Sequence, residues 1–326
     1  MTFLWALALS ILMAPLLSAA QDADIRVDVD LVTVACSASD RGGAPVKNLK
    51  SEDFVLTDNG VPQKIGQFWQ ESDLPLTVAL VADVSGSQAM FIKNHRDAVA
   101  QFLEQVVGAR DRAMVVQVAQ QAWLLAGLTN DQGALRESVS GIGQRESKDA
   151  PLFGERCRGE GMRRSCGGTA LWHAMYYTAR LGLRPVTGRK AIVVLSDGMD
   201  TGSDISLTDT IEMAQTADAV VYSIKYASPL RYISLGATIA QAVSRGLEKI
   251  SRETGGLTFP NPGHRLAEVF SQIESDLRNM YVIGFTPTAD ARDGKFHKLE
   301  VKPVRKDVVV RARAGYWARG QQKEQE

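Results

Sequence analysis

The chain of 326 residues is poor in cysteine and histidine, with three and four respectively. His95, His264 and His297 are scattered and lack the spacing of a zinc site. There is no Gly-x-Ser-x-Gly elbow, and no serine has a histidine partner in sequence, so the commonest serine-hydrolase pattern is missing. Lys and Arg total 37, as do Asp and Glu, giving a formal net charge of zero. A general nucleic-acid binder would show a basic excess or stripe, and this chain has none. No internal repeat is present. Beyond the first twenty residues, no apolar run is long enough to cross a bilayer.

The leader, MTFLWALALSILMAPLLSAAQDA, is what the chain does have at its start. Phe3 to Leu17 is apolar but short for a membrane span, and Ser18, Ala19 and Ala20 are the small residues of a cleavage site. Residues 1–20 read as a secretory signal peptide, with the amino terminus as their only positive charge. The competing reading is an uncleaved anchor. No cysteine follows the cleavage region, so a lipid anchor is not supported. The mature chain is expected to be soluble and extracytoplasmic, either secreted or periplasmic. There, Cys157 and Cys166 in ERCRGEGMRRSCGG are expected to form a local disulfide; the alternative is two free loop thiols. Cys36, in VTVACSASD, reads as a small buried apolar residue.

Residues 24–72 alternate apolar and polar positions, with an Asn59-Gly60 turn signal. They predict a small β module. From about Pro75 to Phe285, apolar strands alternate with amphipathic helices: LTVALVAD, FIKNHRDAVAQFLEQVV, AMVVQVAQ, TALWHAMYYTARLGL, RKAIVVLSDG and VVYSIKYA. That pattern predicts an α/β fold with a doubly wound, mostly parallel sheet and helices on both faces. Residues 286–318 return to strands, which are expected to pack with the N-terminal module into a sandwich-like unit. Residues 319–326 form a polar tail expected to be disordered.

The chemistry gathers at strand ends. LTVALVAD runs into Asp83, and Ser85 and Ser87 follow at alternate positions. In an extended segment these three side chains would face the same way, with the start of the next helix close behind. A plain helix cap would use the same residue types. RKAIVVLSDG ends a second strand at Asp197, and CGGTALWHAM places Thr169 at a helix start. Ligands of a doubly wound sheet bind beyond the carboxyl ends of the strands, where the winding reverses. Taken singly, Thr169 reads as a cap and Asp197 as a turn-former. Together the set is two carboxylates and three hydroxyls, which suits a hard cation such as Mg²⁺, Mn²⁺ or Ca²⁺ and not zinc. A sixth position is then open to a carboxylate from another molecule.

DVSGS, GGTAL and LSDG, in this order and on these elements, resemble the metal-ion-dependent adhesion site of von Willebrand factor type A domains. The resemblance covers about Pro75 to Phe285. It implies metal ligation by Asp83, Ser85, Ser87, Thr169 and Asp197, with the hydroxyls binding directly and the last acid often acting through water. The ends of the chain resemble a secreted acidobacterial subgroup of that family. Gln88 departs from the pattern, since many relatives have Met there, and the loop from Gln144 to Gly168 is an insertion.

That loop is rich in arginine and reads either as a basic lip beside the metal or as a solvated loop. His173 is expected to be a partly exposed helix histidine. Trp172, Tyr176 and Tyr177 are expected to pack, with Trp172 at most rimming the ligand surface. The functional expectation is a non-enzymatic, adhesion-type module that binds a protein ligand offering Asp or Glu to a divalent cation, Mg²⁺ first. Nucleic acid is not an expected partner. The alternatives are a metal-assisted hydrolase or phosphatase and a structural envelope protein.

Overall fold

The computed structural model describes residues 31–70, 74–144, 168–226, 237–287 and 293–318, without the side chains of 237–244 and 264. The leader, Cys157, Cys166, most of the inserted loop and the polar tail lie outside the described residues.

The chain begins with β1 (Val32–Asp40) and β2 (Phe54–Asp58), and β2 turns into β3 (Val61–Gln63). Asn59 and Gly60 make that turn with φ of 47° and 81°. A two-residue hairpin of this hand needs positive φ at both positions, and Asn-Gly tolerates it. β4 (Gln67–Gln70) follows. The α/β layers then run β5 (Leu76–Asp83), α1 (Ile92–Val106), β6 (Arg112–Val118), β7 (Ala122–Thr129), α2 (Gln132–Gly141) and α3 (Leu171–Tyr177), the last continuing as a π-helical stretch, Thr178–Leu183. Next come β8 (Arg189–Ser196), α4 (Leu207–Thr216), β9 (Ala219–Lys225), α5 (Ala237–Thr254), β10 (Thr258–Pro260) and α6 (Leu266–Arg278). The chain closes with β11 (Met280–Phe285), β12 (Phe296–Pro303), β13 (Val308–Ala312) and β14 (Gly315–Trp317).

Strands β10-β9-β8-β5-β6-β7 form one sheet, parallel throughout except for the β6–β7 pair. All eight residues of β5 are buried, as a central parallel strand requires. Its side chains alternate between two cores. Val78, Leu80 and Ala82 meet Val99, Phe102 and Leu103 of α1 and Phe270 and Ile273 of α6. Ala79 and Val81 meet Leu171 and Met175 of α3, Ile211 of α4 and Leu247 and Ile250 of α5. The sheet is therefore doubly wound, with helices on both faces. Local signals set the helix starts. Asp131 caps α2 by accepting from Gly133 and Ala134, and Ser206 with Asp209 forms a capping box on α4.

The remaining strands form two four-stranded sheets, β13-β1-β11-β4 and β14-β12-β2-β3. Val34, Cys36, Leu56, Ile283, Phe285 and Leu299 fill the space between them. Phe54, Phe68 and Tyr281 pack there with ring centroids 5.4 to 5.9 Å apart. Cys36 is buried and unpaired, and burial pushes its thiol up to about 12.

One strand sits elsewhere than its sequence position suggests. Met280–Phe285 directly follows α6 and was expected to close the α/β domain. It pairs instead with β1 and β4, in the sandwich. Its six residues are all buried, so an apolar run of this kind fits the middle of either sheet, and only the pairing decides between them. The two halves are tied by Arg311, which reaches Asp276 of α6 at 2.6 Å, and by Arg313, which reaches Asp218 at 2.6 Å. Gly255 ends α5 with φ of 86°, and a Cβ there would lie 2.8 Å from the Ala312 backbone. Only glycine allows both the turn and the contact.

Candidate metal centre

Strand order places the site. From β5 the chain winds to β6 on one side and later returns to β8 on the other, so the winding reverses at the carboxyl end of β5. Asp83 lies there in register with Val118, and the preceding Ala82 pairs with Leu195. Asp83 thus stands beside Ser196, the residue before Asp197.

Asp83 is fully buried. Its Oδ1 accepts from the Ser85 N–H at 2.9 Å, and its Oδ2 from the Ser196 hydroxyl at 2.6 Å. Ser85 keeps extended angles, with φ of −59° and ψ of 164°, but past it the chain leaves the extended path, contrary to the expectation from alternate spacing. It curls into a 3₁₀ turn over Gly86–Gln88. That turn, and not strand alternation, brings the Ser85 and Ser87 hydroxyls to 3.1 Å from each other.

Asp197 is 8 % exposed, and its Oδ1 accepts from the Met199 N–H at 3.0 Å. Thr169 is not the cap of α3: the capping position is Ala170, which makes no side-chain cap bond. The Thr169 carbonyl accepts from the Thr201 and Gly202 N–H groups at 3.0 Å each, and the Ala170 N–H reaches the Ala119 carbonyl at 2.8 Å. The loop carrying Thr169 is therefore stitched to the loop carrying Asp197 and to the end of β6. All five expected residues stand at the same end of the sheet.

Burial pushes the Asp83 carboxyl up to about 6, against the hydrogen bonds from Ser196 and Ser85, and the charge of Asp197 adds to the rise. A buried acid raised in part by a second carboxylate beside it is a setting in which a cation is accommodated. Among the described residues, no three His, Cys, Asp or Glu side chains gather around a point. An ion here would need the hydroxyls, and the donor set fits a hard divalent cation.

His173 is only 4 % exposed, which corrects the expected partly exposed position. Its Nδ1 accepts from the Asp204 N–H at 3.1 Å, and its own N–H donates to the Ser203 hydroxyl. It is a brace between α3 and the loop after β8. Trp172 is buried against Gly246 of α5 and serves packing. Ser196 is the site residue that the spacing argument passed over. Its only sequence signal is its place before Asp197 in LSDG, and its contact with Asp83 depends on the pairing of β5 with β8. Most of the arginine-rich loop and the disulfide expected between Cys157 and Cys166 fall outside the described residues.

No protein-family profile matches the chain, and no curated protein matches it. Among solved structures it is similar to the vWF domain of the type V pili tip protein Mfa5 from Porphyromonas gingivalis, at 12 % identity and a TM-score of 0.43, covering 62 % of this chain and 94 % of that one. It is also similar to the conserved hypothetical protein BatB from Bacteroides thetaiotaomicron, at 14 % identity and 0.43, covering 63 % and 100 %. A third is proximal thread matrix protein 1 from the mussel byssus, at 14 % identity and 0.43, covering 74 % and 50 %. Likenesses of this size transfer no activity, and the functional reading rests on the residues themselves. Among the described residues, no helix is long and apolar enough to cross a membrane.

Proposed function

We propose that this chain is an extracytoplasmic, metal-dependent protein-binding module of the adhesion type and not an enzyme. The observation that carries the reading is the meeting of Asp83 and Asp197 at neighbouring strand ends, beside a pair of touching serine hydroxyls. Ser85, Ser87 and Thr169 would hold a divalent cation, Mg²⁺ before Mn²⁺ or Ca²⁺, with Asp83 and Asp197 supplying the negative field. Both Asp83 oxygens already accept protein hydrogen bonds, which suits a carboxylate that acts through its charge and through bound water. When bound, such an ion supplies an open coordination position for a carboxylate. Neutral hydroxyls in the inner shell preserve its positive character, so an Asp or Glu side chain on a partner protein is the fitting occupant. The leader at residues 1–20 supports placement outside the cytoplasm.

The test is capture of partners from envelope extract, with and without chelator, using wild type and Asp83→Ala. Retention that needs the metal and is lost in the variant supports the reading. Chelator-sensitive turnover of a generic phosphate ester, lost in the same variant, would replace it with a hydrolase.

A further inference from the structure

Five hydrogen bonds close a ring beneath the proposed metal site. Asp83 accepts from the Ser196 hydroxyl through Oδ2 and from the Ser85 N–H through Oδ1. The Ser85 carbonyl accepts from the Gln88 N–H at 2.8 Å. The Gln88 Nε2 donates to the Tyr226 carbonyl at 3.0 Å. The Tyr226 N–H donates to the Ser196 carbonyl at 3.0 Å, which completes the ring.

Gln88 is the only member that spans a long distance by side chain. It reaches from the turn after β5, across the end of β8, to the residue just past β9. Its 3.0 Å bond ties the turn after β5 to the segment after β9, two places along in the order of the sheet. In doing so it holds the turn carrying Ser85 and Ser87 over the strand end that leads into Asp197.

The amide is not there for packing. Gln88 is fully buried, and its Oε1 has no hydrogen-bond partner. An apolar side chain of the same length would fill this volume without a stranded acceptor. What only the amide provides is the N–H to the Tyr226 carbonyl. Around it, Tyr226 packs against Phe91 and His95 with centroids 5.1 and 4.3 Å apart, so the far end of the bridge is fixed by rings from the start of α1.

We infer that Gln88 is a positioning residue for the metal site, setting the Ser85–Ser87 turn relative to Asp197 through the Tyr226 carbonyl. The inference rests on the metal reading above. Residues that orient ligands without touching the ion typically change affinity by about 10- to 100-fold when altered.

The experiment compares wild type, Gln88→Met and Tyr226→Phe. Met keeps the length but cannot donate, whereas Phe keeps the backbone carbonyl and removes only a hydroxyl outside the ring. Mg²⁺ affinity is measured by calorimetry, and amide hydrogen exchange at Ser85 and Tyr226 is measured in chelator. The expected result is about tenfold weaker Mg²⁺ binding and faster exchange at both amides in Gln88→Met alone, with an unchanged thermal midpoint. Wild-type affinity in Gln88→Met overturns the assignment, as does a loss of affinity matched by a fall in the midpoint of the whole protein. A wild type that takes up none of Mg²⁺, Mn²⁺ or Ca²⁺ overturns the metal reading and the inference together.

Discussion

Two buried polar clusters, one in each half of the molecule, differ in how well they are satisfied. In the sandwich, Asp58 of β2 accepts from the Tyr316 hydroxyl at 2.9 Å and faces the His297 Nδ1 at 3.0 Å, while the His297 Nε2 faces Asp293 at 3.3 Å. Burial and Asp58 together push the Tyr316 phenol up. In the α/β half, Asp83 is crowded by Asp197, the Gln88 Oε1 and Tyr226 hydroxyl are stranded, and both nitrogens of buried His95 lack partners. A buried polar group without its partners is destabilising. The sandwich cluster, which joins β2 to β12 and β14 of the same sheet, reads as a structural clasp. The α/β cluster is the less satisfied of the two, and the proposed ion would sit at its Asp83 end.

The largest way to break this contrast is Asp58→Ala. It strands His297 and Tyr316, and about 3–5 kcal/mol of unfolding free energy should be lost, as for other broken buried pairs. Chemical denaturation measures the loss. Mg²⁺ affinity below the unfolding midpoint should be unchanged, and a parallel fall in affinity would erase the distinction between clasp and site.

The second test uses pH. Burial holds His95 down at about 4, well below its ordinary value of 6.5. Between those values the unfolded chain takes up a proton that the folded chain refuses. Stability from this group is therefore lost as pH falls from 6.5 toward 4, by about 3 kcal/mol at most. Asp83, raised to about 6, acts in the opposite sense: the folded chain takes up a proton first, and stability rises as pH falls through the same range. In chelator the two should largely cancel in wild type. His95→Phe should remove the acid-side loss and leave a protein that gains stability between pH 6 and 4, as read by denaturation midpoints. A flat profile in the variant would show that Asp83 is not strained.

Third, Asp83→Ala and Thr169→Ala should each weaken Mg²⁺ binding about 100-fold, or about 2.8 kcal/mol, with the fold intact by circular dichroism. Unchanged affinity in both would remove the site. The smallest effect should come from Arg136→Ala. Its ion pair with Glu104 is short, at 2.6 Å, but exposed, so unfolding free energy should move by no more than about 0.5 kcal/mol. A larger loss would mean that good geometry matters even without burial.

Much of the architecture was legible because its signals are local. The apolar run of β5, the amphipathic period of α1, the Asn59-Gly60 turn and the acid at each strand end are properties of a few adjacent residues. The three loops of the site could be named for the same reason. Other features were not legible. The 3₁₀ turn that pairs Ser85 with Ser87 depends on Asp83 holding the Ser85 N–H. The burial of His173 depends on the loop that follows β8. β10, only three residues long, is a strand because β9 lies beside it.

The amino-acid order alone determined the longer strands and helices, and that oxygen donors would stand at the ends of two of the strands. Local periodicity and turn chemistry act within a few residues and need no partner. Tertiary structure alone decided that Met280–Phe285 enters the sandwich, that Ser196 supports Asp83, and that Gln88 reaches Tyr226. Each of these is a contact between residues far apart in the chain, and an apolar strand or a buried amide carries no mark of which distant neighbour it will meet.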